Sequence, residues 1–201
     1  MSGQAKLSTP RERYREVLRR EILDAAREAF VRDGYEGVSM RKLAERIGCS
    51  HSNLYRHFKD KEALFDCLVE ESFDRLADSM RSLIESDRGR DPVELVRKIG
   101  RAYVEFGVAN PSVYEFAFLL RRPRQSADKP HVASERLRSL VRRCLEDKRF
   151  RRVEGHAASQ ALWAAVHGIT SLLILRPAFP WADRDRLIGL VVDAAVDGLL
   201  A

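Results

Sequence analysis

The residues best suited to chemistry lie close together. Ser50, His51, Ser52, Asn53, Tyr55, Arg56 and His57 fall within eight positions, interrupted only by Leu54. Asn and His can hydrogen-bond base edges, whereas Ser, Tyr and Arg suit phosphate oxygens. On a helix, His51 and Tyr55 are one turn apart and share a face. The set points to non-covalent recognition of a nucleic acid rather than to bond-making. The other histidines, His131, His156 and His167, are scattered, and no HxxxH or HxxE pair falls on one helix face. His51 and His57 are six residues apart, on different faces, so no metal site is expected. The chain has no Gly-x-Ser-x-Gly, no Gly-x-Gly-x-x-Gly and no phosphate loop, so neither an enzyme nor a cofactor is expected.

Short helices must position this set. Ser39 is an N-cap candidate for a helix through Ile47 that Gly48 stops, and Ser50 caps a second helix ending near His57–Phe58. A turn of three residues, Gly48-Cys49-Ser50, makes this a helix-turn-helix: the first helix braces and the second can lie in the major groove. Leu43, Ala44, Ile47, Cys49, Leu54 and Phe58 supply the inward face. Upstream, Ile22, Ala26 and Phe30 recur at helical spacing in a helix from about Pro10 to Asp33, stopped by Gly34. Downstream, Asp60 caps a long helix. Ser39 and Lys61 stand at helix starts, where free N–H groups and the dipole favour a phosphate.

The rest of the chain also reads as helix. Asp91-Pro92-Val93-Glu94 and Asn110-Pro111 restart helices, and Pro123 to Pro130 is a polar loop. Helices follow at about His131–Asp147, Gly155–Leu175 and Asp183–Leu200. The expectation is an all-α fold of about nine helices. A three-helix domain over 1–65, with a flexible basic arm at 1–10, precedes a helical bundle over 66–201. Of 201 residues, 45% are apolar and 33% charged, with a formal charge of +6. Three widely spaced cysteines give no disulfide framework. Met1 to Pro10 is polar, and the longest apolar run, 161–175, is short and interrupted by His167, Thr170 and Ser171. These features exclude a secreted, fibrous or integral membrane protein and place the chain in the cytoplasm. Residues 1–65 hold fourteen Lys and Arg against ten Asp and Glu. Lys6, Arg11, Arg13 and Arg15 could follow a minor groove or form a solvated tail. Residues 121–152 carry twelve bases against four acids, read first as a solvated face and second as suited to an anionic ligand.

The stretch Gly34-Tyr-Glu-Gly-Val-Ser-Met-Arg-Lys-Leu-Ala-Glu-Arg-Ile-Gly-Cys-Ser-His-Ser-Asn-Leu-Tyr-Arg-His-Phe-Lys-Asp-Lys-Glu-Ala-Leu64 resembles the N-terminal domain of tetracycline-repressor-type (TetR family) transcriptional regulators. Its marks span about Ile22 to Leu68. They are Ala-x-x-x-Phe, Gly-Tyr-x-Gly-x-Ser, Ala-x-x-x-Gly-x-Ser, Leu-Tyr-x-His-Phe and Lys-x-Lys-Glu-x-Leu. The resemblance implies phosphate contacts at Ser39, Tyr55, His57 and Lys61, and groove-facing positions at Arg41, Ser50, His51, Ser52, Asn53 and Arg56. Ser52 and Asn53 stand where Gly and Thr are frequent, which implies an altered base preference. Cys49 stands where Val is frequent and is read as packing. The resemblance implies a DNA-binding regulator, most often a repressor, with effector-binding and dimerisation helices after the first domain.

Trp163-Ala-Ala-Val-His-Gly168 resembles the Trp…His-Gly signature of one subgroup of such C-terminal domains. The helices at about 155–175 and 183–200 are apolar on more than one face, which a second copy of the chain would most simply cover in a four-helix bundle, with burial inside the monomer as the alternative. A two-fold dimer also suits a palindromic site on double-stranded DNA. Tyr103, Phe106, Tyr114, Phe118, Trp163 and His167, with Val108, Phe116 and Leu120, are candidates to line a cavity for an apolar or amphipathic effector. Plain core packing is the alternative for each, and a satisfied core histidine is the alternative for His167. An all-helical ligand-binding or oligomerising module without DNA binding is the second functional reading; a blocked or apolar outer face on the short helix would favour it.

Overall fold

A computed structural model describes residues 9–86, 91–120 and 132–201. Nine α-helices are described: α1 (Pro10–Gly37), α2 (Met40–Arg46), α3 (His51–His57), α4 (Lys61–Ser86), α5 (Pro92–Ala109), α6 (Pro111–Tyr114), α7 (Val132–Glu146), α8 (Gly155–Leu175) and α9 (Arg184–Asp197). A π-helical turn, Glu115–Leu119, follows α6 directly. Among the described residues the nearest thing to a sheet is one isolated bridge between Phe150 and Leu200. The expected loop at 123–130 and the arm up to residue 8 lie outside the described residues. Arg11, Arg13 and Arg15 belong to α1, which opens on a capping box: Thr9 accepts from the Glu12 amide, and Glu12 accepts from the Thr9 amide.

The chain divides into two units. The first comprises residues up to Glu70 and takes back the stretch from Glu115, so the division falls inside α4, five residues past the expected 65/66 boundary. Its core is Ile22, Ala26 and Phe30 of α1, Leu43 and Ala44 of α2, Leu54 of α3, and Leu64, Phe65 and Leu68 of α4, with Phe116 from the π-helical turn. Phe30 stacks on Tyr35 (5.8 Å) and meets Phe65 edge-on (5.2 Å), while Phe65 and Phe116 lie 4.7 Å apart. Gly34, at φ +71°, breaks the helical path inside α1, as its sequence position suggests.

The second unit packs α5 and α8 against each other, with α7 and α9 against both. Its close approach is at Gly107 of α5. A Cβ there would lie 2.3 Å from Thr170 Cγ2 and 2.9 Å from Tyr114 Cδ2, so only glycine fits this crossing. Arginines tie α5 to α9: Arg97 pairs with Asp193 at 3.1 Å and with Asp197, and Arg101 reaches Asp193 at 3.1 Å. The C-terminus is pinned by Arg151 N–H donating to Leu199 O (2.8 Å) and Ala201 N–H donating to Arg149 O (3.1 Å). Helix α8 buries Ala158, Leu162, Val166 and Ile169, whereas Trp163, Leu172 and Leu175, with Leu190 of α9, remain exposed on the single chain. By length and composition α8 could cross a membrane, which the interrupted run at 161–175 does not suggest; one of its faces is packed on α5, α7 and α9.

Candidate nucleic-acid interface

Local hydrogen bonds build the helix-turn-helix. Ser39 Oγ accepts from the Lys42 amide, and Ser50 Oγ from the Asn53 amide, each at 3.2 Å. Both hydroxyls are therefore N-caps first, and Ser50 also lies 3.2 Å from Ser52 Oγ. Gly48, at φ +67°, allows the tight reversal between α2 and α3. Leu54 is wholly buried and Phe58 nearly so, which fixes the rotation of α3 against α1 and α2. Ile47 and Cys49 are half-buried at the same core, and burial pushes the Cys49 thiol up from its ordinary value. That suits packing rather than reactivity.

With Leu54 held inward, the opposite face of α3 is turned out. His51, Ser52, Tyr55 and Arg56 are exposed, and Asn53 and His57 half so. His51 and Tyr55 meet edge to face at 4.7 Å, so the shared face expected from their spacing is real. Arg56 makes no ion pair among the described residues, while Arg41 on α2 is exposed and held 3.0 Å from Glu45. Burial, together with the cationic Arg15, Arg19 and Arg56, pulls the His57 pKa below its usual value. This shows α1 carrying positive charge to the end of α3. Arg19 also lies over the Phe58 ring at 5.2 Å and donates to Cys67 Sγ at 3.0 Å. Spacing along the sequence gives no signal for that placement. Lys61 is more committed than its helix-start position suggests: its ammonium donates to Tyr35 O (3.0 Å), lies over the Tyr35 ring (4.2 Å) and is 3.9 Å from Glu36.

In the second unit, four of the six candidate ligand residues come together. Tyr114 Oη lies 2.6 Å from His167 Nδ1 and 3.1 Å from Tyr103 Oη, and Trp163 Nε1 donates to Tyr103 Oη at 3.3 Å. Burial lowers the His167 pKa and raises those of Tyr103 and Tyr114, so all three are neutral near pH 7. A neutral imidazole accepting at Nδ1 gives a one-way chain of donors, from Trp163 through Tyr103 and Tyr114 to His167. Nε2 then faces Ser171 Oγ at 3.5 Å. Ser171 is absent from the candidate set, though its i+4 spacing from His167 is visible in the sequence. Phe106 lies half-buried on α5, outside this hydrogen-bonded chain, and Phe118 lies on the π-helical turn, in the other unit.

Residues 22–68 match the profile described as bacterial regulatory proteins, tetR family, and residues 96–195 that of a tetracyclin repressor-like C-terminal domain. The chain is 27% identical over 166 residues to the nucleoid occlusion factor SlmA of Cronobacter sakazakii, covering 80% of this chain and 79% of that one. It is 44% identical over 73 residues to the HTH-type transcriptional repressor AcnR of Corynebacterium glutamicum, covering 35% and 39%. Among solved structures, the TetR family transcriptional regulator PfmR of Thermus thermophilus superposes with a TM-score of 0.67 at 23% identity, covering 97% of this chain and 100% of that one. This last likeness is one of fold.

Proposed function

This chain is a DNA-binding transcriptional regulator of the tetR family, and from that premise we propose that it is a repressor that binds a palindromic operator as a homodimer and is released by a small effector. The observation that carries the reading is the division of α3: Leu54 sealed in the core, and a polar face of His51, Ser52, Asn53, Tyr55 and Arg56 opposite it. That face has the size and chemistry of a major-groove reader. Arg56 and Asn53 are assigned to base edges. Tyr55, His57, Ser39 and the third ammonium donor of Lys61 are assigned to phosphates. Arg41, with Arg11, Arg13 and Arg15 on α1, adds positive charge along the backbone of the duplex.

The second copy covers the exposed apolar side of α8 and α9, including Leu172, Leu175 and Leu190. Dimerisation sets two α3 helices about 34–36 Å apart, one helical turn of DNA, in the cytoplasm where the operator lies. The effector is apolar or amphipathic and engages the Trp163–Tyr103–Tyr114–His167 chain. It acts by favouring a dimer whose α3 helices are mis-spaced.

The test is selection of bound sequences from a random duplex pool by the full-length protein at physiological salt. An enriched palindrome supports the reading. Binding without enrichment, falling steeply with salt, reduces it to a basic surface. On the selected sequence, Arg56→Ala should weaken binding by about tenfold or more while the dimer survives. Loss of the dimer instead would count against the assignment of α3.

A further inference from the structure

The basic stretch at 121–152 is not explained by DNA binding, and two of its described arginines line a cleft. The cleft, of about 280 Å³, lies between the second half of α4 and α7, lined by Arg81, Ile84, Glu85, Arg136, Ser139, Leu140 and Arg143. Three other arginines of the same unit are matched by carboxylates: Arg97 by Glu94, Asp193 and Asp197, Arg101 by Asp193, Arg149 by Asp91. Here three guanidinium groups meet one carboxylate. Arg81 pairs outside the lining, with Asp78 at 2.6 Å. Arg136 donates to Ala77 O at 2.7 Å, which braces α7 on α4 and leaves four N–H groups on its fork. Among the described residues, neither Arg136 nor Arg143 has a carboxylate partner, and Glu85 pairs with none of the three.

Guanidinium groups that outnumber the carboxylates in a concavity favour an anion, and their fork geometry suits a carboxylate or phosphate. Ile84 and buried Leu140 give the same cleft an apolar side. Its volume is at the low end for a ligand site, enough for a head group and a short chain. We propose that this cleft binds a small amphipathic organic anion, its carboxylate or phosphate held by Arg136 and Arg143 and its chain laid on Ile84 and Leu140. The site is separate from the Tyr103–His167 chain and does not depend on the effector reading above.

Calorimetric titration of the full-length protein tests it, with octyl phosphate, octanoate, octanol and inorganic phosphate as probes. One saturable site per chain is expected for octyl phosphate or octanoate, and the tighter of the two identifies the head group. Octanol should not bind there. Arg143→Ala should weaken the anion by about tenfold, and Arg143→Glu should abolish it. Neither substitution removes a described structural bond, so both proteins should keep the helical signal of the parent. Trp163→Ala should leave this binding unchanged. Undiminished binding in Arg143→Glu, no binding of either amphiphile, or inorganic phosphate binding as tightly as octyl phosphate would each overturn the proposal.

Discussion

Four rings meet in each of two clusters: Phe30, Tyr35, Phe65 and Phe116 in the first unit, and Tyr103, Tyr114, Trp163 and His167 in the second. The first is held by shape. Phe30 is wholly buried, and its neighbours offer only edges and faces at 5–6 Å. The second is held by directed hydrogen bonds, and Trp163 keeps 44% of its surface exposed. A cluster of the first kind has one good arrangement, because nothing else fills its volume. A cluster of the second kind can exchange one donor or acceptor for another, including one supplied by a ligand. On the function proposed above, the contrast would let the first cluster brace the α3 reader while the second answers an effector.

The contrast can be broken at its strong end first. Phe30→Ala should cost about 3–5 kcal/mol through the lost transfer energy and the cavity left behind. Denaturant unfolding would read that loss, and DNA binding should fall with the folded fraction. A cost near 1 kcal/mol would mean that the cluster repacks easily and is not a brace.

Tyr114→Phe keeps the ring and removes one hydroxyl. It should cost only about 1–2 kcal/mol, since Tyr103 Oη already lies 3.3 Å from His167 Nδ1 and can take over as donor. Thermal unfolding gives the cost. Unchanged operator affinity with an altered response to ligand would sharpen the distinction between the clusters, whereas a cost as large as that of Phe30→Ala would erase it.

The smallest effect is a pH slope. Burial holds the folded pKa of His167 below the ordinary imidazole value of 6.5, so the unfolded chain binds this proton more readily. The neutral ring's contribution is therefore fully present above about pH 6.5 and is lost as pH falls toward the folded value. Unfolding measured from pH 7.5 to 5.5 should lose stability more gently in His167→Gln than in the parent. Equal slopes would show that the imidazole is not desolvated.

Much of the fold was legible because its punctuation is local. Ser39, Ser50 and Asp91 cap the helices they precede, and the Asp60 carboxylate accepts from the Ala63 amide at the start of α4. Gly34 and Gly48 take the positive φ that stops a helix. The outer face of α3 was equally legible, since one buried leucine on a seven-residue helix decides what points outward. The tertiary pairings were not. Tyr103, Tyr114 and His167 stand 11 and 53 residues apart, and the placement of Arg19 over Phe58 depends on how α1 packs. The π-helical turn, closed by Leu120 N–H donating to Glu115 O at 2.8 Å, leaves no periodic trace in five residues, yet it returns Phe116 to the first core. The capping box at Thr9 was present in the sequence but masked by the basic residues around it.

The crossing at Gly107 also limits the order in which this chain can change. Every one-base replacement of a glycine codon adds at least a methyl group. Each single step away from Gly107 therefore meets the Thr170 methyl and the Tyr114 ring at once. Thr170→Ser would remove the nearer atom and keep the hydroxyl that donates to Val166 O. With serine at 170, an alanine at 107 would still meet the Tyr114 ring at 2.9 Å but no longer the methyl group at 2.3 Å, so its cost depends on which residue already stands at 170, a dependence between two sites that neither substitution alone would reveal.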